Sequence, residues 1–510
     1  MKIAIRILSL TLALVMAAFS FVACTDSSDN GDTTTTGSAN TENPDNSGDA
    51  VEDVTDKYQI GDNVPDDLKF EGEKINILSR STDWVNDEVT LDTGYSGGVS
   101  DSIYTRQLAL ESQFGIEIVN EKIAGDNYAV SSKIRTDRQS SQYNYDIIAN
   151  SVYSTIMYTS EGILYDLTDL DHLDLSRPYW SQGFNDAMSF GDSQYMATGA
   201  GALTLFRYMF VTMFNKELLS SYAPGVNLYD VVNNGDWTLG YQLELCEKFA
   251  DPSNETMLEN GTYGFVTSNQ AYIDAYLSSC EIRLLKKTVD NYYELSVDID
   301  RMSSVVDELH KLFSDKNLGT YIYASTSDAQ DQLNVSNFFA SGKSLTATLR
   351  LVSVETSEIR NMTSLYGIIP AAKYNKAQKD YHTMVHDQFT AYGVYSLVPA
   401  ERLEMVGAFL EVFASKSYEI VMPEYYELAL KGRYVQDDES ARMLDKIYEA
   451  VYIDAGVLYT KALDSIHQKF RSIVKSGINT VSSAYAGAQQ IVYMMKLDEL
   501  QAGLKKLEGK

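Results

Sequence analysis

"SDSIYTRQLALESQFGIEIVNE", residues 100–121, changes its period partway along. Ile103, Leu110 and Phe114 fall on one face of a helix, Ser100 or Asp101 can cap its start, and Gly115 can end it. From Ile116 the apolar residues alternate, with Ile116 and Ile118 facing one way as a strand requires. The flanking segments decide the class. "KINILS" (74–79) comes before and "YDIIANS" (145–151) after, each a short apolar run bounded by turn formers. Such runs fit strands buried in a parallel sheet. Strand, helix, strand at this spacing predicts an α/β unit with a right-handed crossover.

The alternation resumes in "LFRYMFVTMFNKELL" (205–219), "SLTATLRLVSV" (344–354) and "LYGIIPA" (365–371), and from Glu401 the chain reads as largely helical. There is no short repeat. The expected class is α/β, in two lobes with the chain crossing between them. At 510 residues and 44% hydrophobic content the chain is long enough for two or three domains with real cores. Its formal charge of −30 argues against nucleic acid or an anionic membrane surface as a partner. Besides Cys24 there are two cysteines, Cys246 and Cys280, whose positions leave open whether they pair or stay free. No CxxC zinc pattern occurs, and neither a metal nor a cofactor is expected.

The first 24 residues, "MKIAIRILSLTLALVMAAFSFVAC", have a secretory layout: Lys2 and Arg6, an apolar stretch from Ile7 to Val22, and small residues before Cys24. The apolar run is interrupted by Ser9, Thr11 and Ser20, and is marginal as a membrane span. The ending resembles a bacterial lipobox, with Phe21 where Leu is usual. That resemblance implies a signal peptide over 1–23 and a diacylglycerol on the Cys24 thiol. Residues 24–57 are mostly Thr, Ser, Asn, Gly and acidic residues, which bury too little surface to order and predict a flexible tether.

The opening stretch and four others occur in this order: "SDSIYTRQLALESQFGIEI", "YDLTDLDHLDLSRPYW", "MFNKELL" with "NGDWTL" after it, "YGIIPAAKYNKAQKDY", and "GAFLEVFASKSYEIVMPEYYELALKGRYVQDDESARMLDKI". Together they resemble the family 1 extracellular solute-binding proteins, the lipoprotein receptors of carbohydrate ABC importers in Gram-positive bacteria. More distantly the set is similar to maltose-binding protein. "FNK" after a strand and "YGIIPxxK" are its more specific parts. The resemblance covers most of Lys74 to Ile447 and implies two α/β lobes closing on a sugar, with no chemistry on the ligand. Crossings are then expected near 195–204, 384–389 and Pro423. Lobe 1 would be 58–200 with 388–430, and lobe 2 would be 201–387 with 431–510. The partners implied are a carbohydrate, the importer's transmembrane subunits and the membrane through the lipid, for a monomer outside the cell.

Three motifs point elsewhere and are set aside. "GYSGG" (94–98) matches a nucleophile elbow around Ser96, but the elbow needs a buried strand before it, and "DEVTLDT" reads as polar and half-exposed. "HTMVH" (382–386) lacks the Glu of a zinc helix, and on a strand its two histidines stand ~13 Å apart. "GAGALT" (199–204) lacks the third glycine of a dinucleotide loop and reads better as a hinge. The remaining alternatives are a surface hydrolase using Ser96 or a carboxylate pair, and the same receptor fold with a ligand other than sugar.

A sugar needs aromatic faces for its C–H surfaces and paired donors and acceptors for its hydroxyls. In open α/β sheets these should lie past the carboxyl ends of strands. The expected ligand-binding residues are therefore Arg80, Asp83 and Trp84 after "KINILS"; Asn150, Ser151 and Tyr153 after "YDIIA"; Phe206 and Tyr272; Arg350; and His386 with Asp387 at the second crossing. Trp180 and Trp237 read as structural, and most of the 36 tyrosines as half-buried core. No catalytic residue is expected.

Overall fold

Two sheets are built from separate parts of the chain. The computed structural model describes residues 56–82, 87–94, 97–125, 127–249, 261–314, 319–325 and 327–509. The expected signal peptide, Cys24 and nearly all of the expected tether lie outside them, as do Asp83, Trp84 and Ser96. The first sheet holds β1 (Lys74–Ser81), β2 (Glu117–Ala124) and β3 (Ile147–Ser151). The second holds β4 (Phe210–Asn215) and β5 (Tyr263–Ser268); β6 (Leu285–Lys287) and β7 (Tyr293–Leu295) form a separate hairpin. β8 (Thr320–Tyr323), β9 (Ser344–Arg350) and β10 (Tyr366–Pro370) complete the second sheet, and β11 (Thr390–Val394) returns to the first. The orders are β11-β3-β1-β2 and β10-β4-β9-β5-β8. β1 runs parallel to β2 and β3, while β11 runs antiparallel to β3.

The opening stretch folds as its period requires, with one correction. The helix is Val99–Phe114, and Gly115 ends it at φ 70°, its N–H on the Glu111 carbonyl. The cap is Gly98, without a side-chain bond, so Ser100 and Asp101 sit in the first turn instead. There Asp101 still meets the positive end of the helix dipole.

"DEVTLDT" is half-exposed, as it reads, and forms no strand: Asp87, Asp92 and Thr93 are exposed, while Glu88, Val89, Thr90 and Leu91 are buried. The Glu88 carboxylate accepts the Thr204 N–H at 2.9 Å and the Thr390 hydroxyl, and the buried Arg106 guanidinium donates to the Glu88 carbonyl at 3.0 Å. The one buried charge of the segment, Glu88, is tolerated because its carboxylate is hydrogen-bonded.

The chain passes between the sheets at two extended segments that lie side by side. Ala197 bridges Tyr392 and Met209 bridges Val385, both antiparallel. Helix Leu403–Lys416 packs on Val99–Phe114, and after the helical stretch 417–434 helix Asp438–Glu449 packs on β10. Further on, helix Ile466–Ser476 packs on Ala271–Asp274 and Ile299–Ser314. The last helix, Ala488–Leu507, meets both Met157–Ser160 and β7.

The two motif stretches are structural devices. Asn215 of "FNK" ends β4 and caps the next helix, its Oδ1 accepting the N–H groups of Glu217 and Leu218, each at 3.0 Å. Asn215→Ala should cost roughly 1 kcal/mol, read as a shift of the urea midpoint at constant slope. Lys373 of "YGIIPAAK" is buried and donates to the Gln378 carbonyl at 2.6 Å, closing the turn that follows β10. Cys246 and Cys280 are buried free thiols, and burial pushes Cys280 up to about 12.

Candidate binding cleft

β3 delivers Asn150 and Ser151 to its carboxyl end, with Tyr153 just beyond. The returning chain is fastened there by its backbone. The Tyr153 N–H donates to the Asp387 carbonyl and the Val152 N–H to the Phe389 carbonyl, each at 3.0 Å. β9 in the other sheet ends at Arg350, and its guanidinium meets the same crossing. Nη1 lies 3.0 Å from His386 Nδ1 and 3.0 Å from Asp328 Oδ2, while Nε donates to Gln332 Oε1 at 2.9 Å. The Tyr272 hydroxyl donates to that same Gln332 oxygen. Arg350 also stands over the Tyr272 and Tyr208 rings, at 5.8 and 5.5 Å. His386 Nε2 lies 3.6 Å from Asp387 Oδ1.

Tyr153, Tyr272, Arg350, His386 and Asp387, named from sequence on four separate segments, are thus brought to one place. The same cluster gains residues that the sequence did not suggest. Lys461 sits 3.9 Å from the Tyr153 ring centroid and 4.7 Å from that of Tyr128, and the two rings meet edge-on at 6.4 Å. Gln468 bonds the Tyr153 hydroxyl. Arg471 Nε donates to Asp274 Oδ1 at 3.0 Å, and its charge also acts on Asp387 and Asp328.

The electrostatics follow from burial set against pairing. Burial lowers the His386 pKa, and Arg350 adds to this against the opposing pull of Asp328 and Asp387, so the ring is neutral at pH 7 and accepts at Nδ1. Burial raises Asp328, but Arg350 and then His386 outweigh it and hold the carboxyl below the usual range. Burial and then Tyr128 push Tyr153 up, keeping its hydroxyl protonated. The cluster therefore offers fixed carboxylate acceptors, guanidinium donors, the half-buried ring of Tyr153 and the exposed ring of Tyr128, while Tyr272 is buried beneath Arg350.

The other expected residues are placed differently. Arg80 is buried at the end of β1 and donates to the Gln388 carbonyl and to Thr390 Oγ1 at 3.2 Å, holding the crossing. Asn150 is buried and donates to Ser154 Oγ and Thr155 Oγ1, at 3.2 and 3.1 Å. Ser151 is buried at the strand end. Phe206 packs in a separate aromatic group with Tyr425, Tyr426 and Tyr448. Asp83 and Trp84 fall outside the described residues.

No known family profile matches the chain, and no curated protein sequence does either. Solved structures do match. The galacto-N-biose/lacto-N-biose I-binding protein of a Bifidobacterium longum ABC transporter, in complex with lacto-N-biose, superposes with TM-score 0.52 at 11% identity, over 86% of this chain and 98% of that one. A cyclo/maltodextrin-binding protein complexed with maltotetraose gives 0.50 at 12% identity, over 86% and 98%. A Thermotoga lettingae ABC transporter solute-binding protein bound with α-D-tagatose gives 0.50 at 11% identity, over 84% and 100%. At these identities the match shows a shared fold: two α/β lobes joined by crossing segments.

Proposed function

We propose that the chain is a sugar-binding receptor that captures a sugar or oligosaccharide between its two lobes and hands it to an ABC importer. The observation that carries this reading is the meeting of Tyr153, Asp387, Arg350 and Asp328, drawn from both sheets and from the crossing between them. Tyrosine faces suit sugar C–H surfaces, and the flanking carboxylates and guanidinium suit hydroxyls. Proteins sharing the fold were solved with lacto-N-biose, maltotetraose and tagatose, which supports the ligand class. A ligand touching both lobes favours the closed form by its differential affinity. Calorimetric titration with a panel of mono- and oligosaccharides tests this, with product analysis alongside. Saturable binding without turnover is expected; hydrolysis of a glycan or ester would establish an enzyme instead.

The anchor belongs to the same reading. The lipobox-like ending at Cys24, followed by a polar tract, supports a receptor tied by lipid to the outer face of the cell membrane. No helix among the described residues is long and apolar enough to cross a membrane. Cys24→Ser should move the protein from the detergent phase to the aqueous phase with sugar affinity unchanged. Retention in detergent would mean that the thiol does not carry the anchor.

A further inference from the structure

Behind the first crossing lies a cavity of about 260 Å³ that shares no lining residue with the Tyr153 cluster. Gly199 and Ala200 of the crossing form part of its wall. The rest is mainly aromatic: Tyr58, Trp180, Phe206, Tyr418, Tyr426 and Tyr448. Phe206 lies 4.9 Å from Tyr448 and 5.9 Å from Tyr426, and Tyr58 lies 4.9 Å from Tyr418, centroid to centroid. Tyr179, Pro178, Ser181 and Met422 also line it, and its charged groups are Lys57 and the two carboxylates Asp445 and Glu449.

Two ammonium groups already rest on these rings. Lys57 Nζ is 4.8 Å from the Tyr58 centroid and Lys431 Nζ is 4.7 Å from that of Tyr426. Both are also held by acid: Lys57 pairs with Glu427 at 2.6 Å, and Lys431 with Asp445 at 2.6 Å. Glu449 is exposed and has no ion-pair partner among the described residues. Tyrosine and tryptophan faces attract cations through the ring quadrupole, and enclosing aromatic walls are the recognised means of holding an alkylated ammonium. Size narrows the class, because pockets for drug-sized ligands run about 300–1,000 Å³. A cavity of about 260 Å³ suits a head group better than an oligosaccharide. The net charge of −30 draws cations and repels anions.

We propose that this cavity is a second binding site, taking a small organic ammonium ion whose head group sits among the aromatic rings with Glu449 as its counter-charge. The proposal does not depend on the sugar reading, since the two sites share no residue.

Choline is the probe, and 3,3-dimethylbutan-1-ol, of the same shape without charge, is its control; each is titrated calorimetrically into the purified protein at low salt. Choline should bind saturably, and the neutral analogue at least about fivefold more weakly. Tyr448 is 39% exposed and Glu449 is exposed, so neither substitution should disturb folding, which circular dichroism checks. Tyr448→Ala should weaken choline by roughly tenfold, and Glu449→Gln by roughly threefold to tenfold. Absence of choline binding would overturn the proposal. So would equal affinity for the neutral analogue, or choline affinity unchanged in both variants. Sugar titrations on the same samples are scored separately, so failure here leaves the cleft reading standing.

Discussion

Arg471→Met should lower the free energy of unfolding by about 3–5 kcal/mol. Asp274 is 1% exposed, and Arg471 grips it in two places, Nε on Oδ1 at 3.0 Å and Nη2 on Oδ2, with His467 Nε2 at 3.6 Å. Removing the guanidinium strands a buried carboxylate beside one imidazole. Asp274→Asn combined with Arg471→Met should recover much of the loss, because both charges then go together. The pair also sets a pH dependence. Burial raises the Asp274 carboxyl, but Arg471 and His467 outweigh it and hold it at about 2, against 3.8 unperturbed. A carboxyl lowered by folding stabilises at pH values above its unfolded pKa and loses that contribution as pH falls towards the folded one. Urea unfolding followed from pH 5 down to 2 should show about 2 kcal/mol of this loss in the parent protein. Arg471→Met should lack most of it. An equal acid response in both proteins would mean that Asp274 is not held by Arg471.

Tyr153→Ala should weaken sugar binding roughly tenfold to a hundredfold, on the order of 1–3 kcal/mol. Tyr153 is half-buried, and its ring faces Tyr128 and Lys461 rather than a closed apolar core. Stability without sugar should therefore change much less than affinity. Calorimetric titration beside a thermal melt separates the two. A large fall in melting temperature with little change in affinity would make Tyr153 a packing residue.

Local pattern carried much of the fold. The change of period between Phe114 and Ile116, with a glycine between, was enough to place a helix and a strand, and Asn215 and Lys373 hold the turns that their motifs mark. Long-range pairing was harder to read. Glu88 looks solvated in sequence because its partners, Thr204 and Thr390, are 116 and 302 positions away. Arg80 reads as a ligand donor for the same reason, since the carbonyl it meets belongs to Gln388. Lys461 and Arg471 lie on a late segment whose polar side chains resemble any solvated face. Only folding that segment over the second lobe brings them to Tyr153 and Asp274. Phe206 reads as a ligand residue past the first crossing, whereas its ring lines the cavity behind that crossing.

A sugar held by both lobes should draw them together. Small-angle X-ray scattering of the protein alone and saturated with the tightest sugar from the titration panel reads this closure. A smaller radius of gyration is expected with sugar, and little change in Tyr153→Ala at a concentration that saturates only the parent. A radius unchanged in the parent while calorimetry shows the site filled would contradict it.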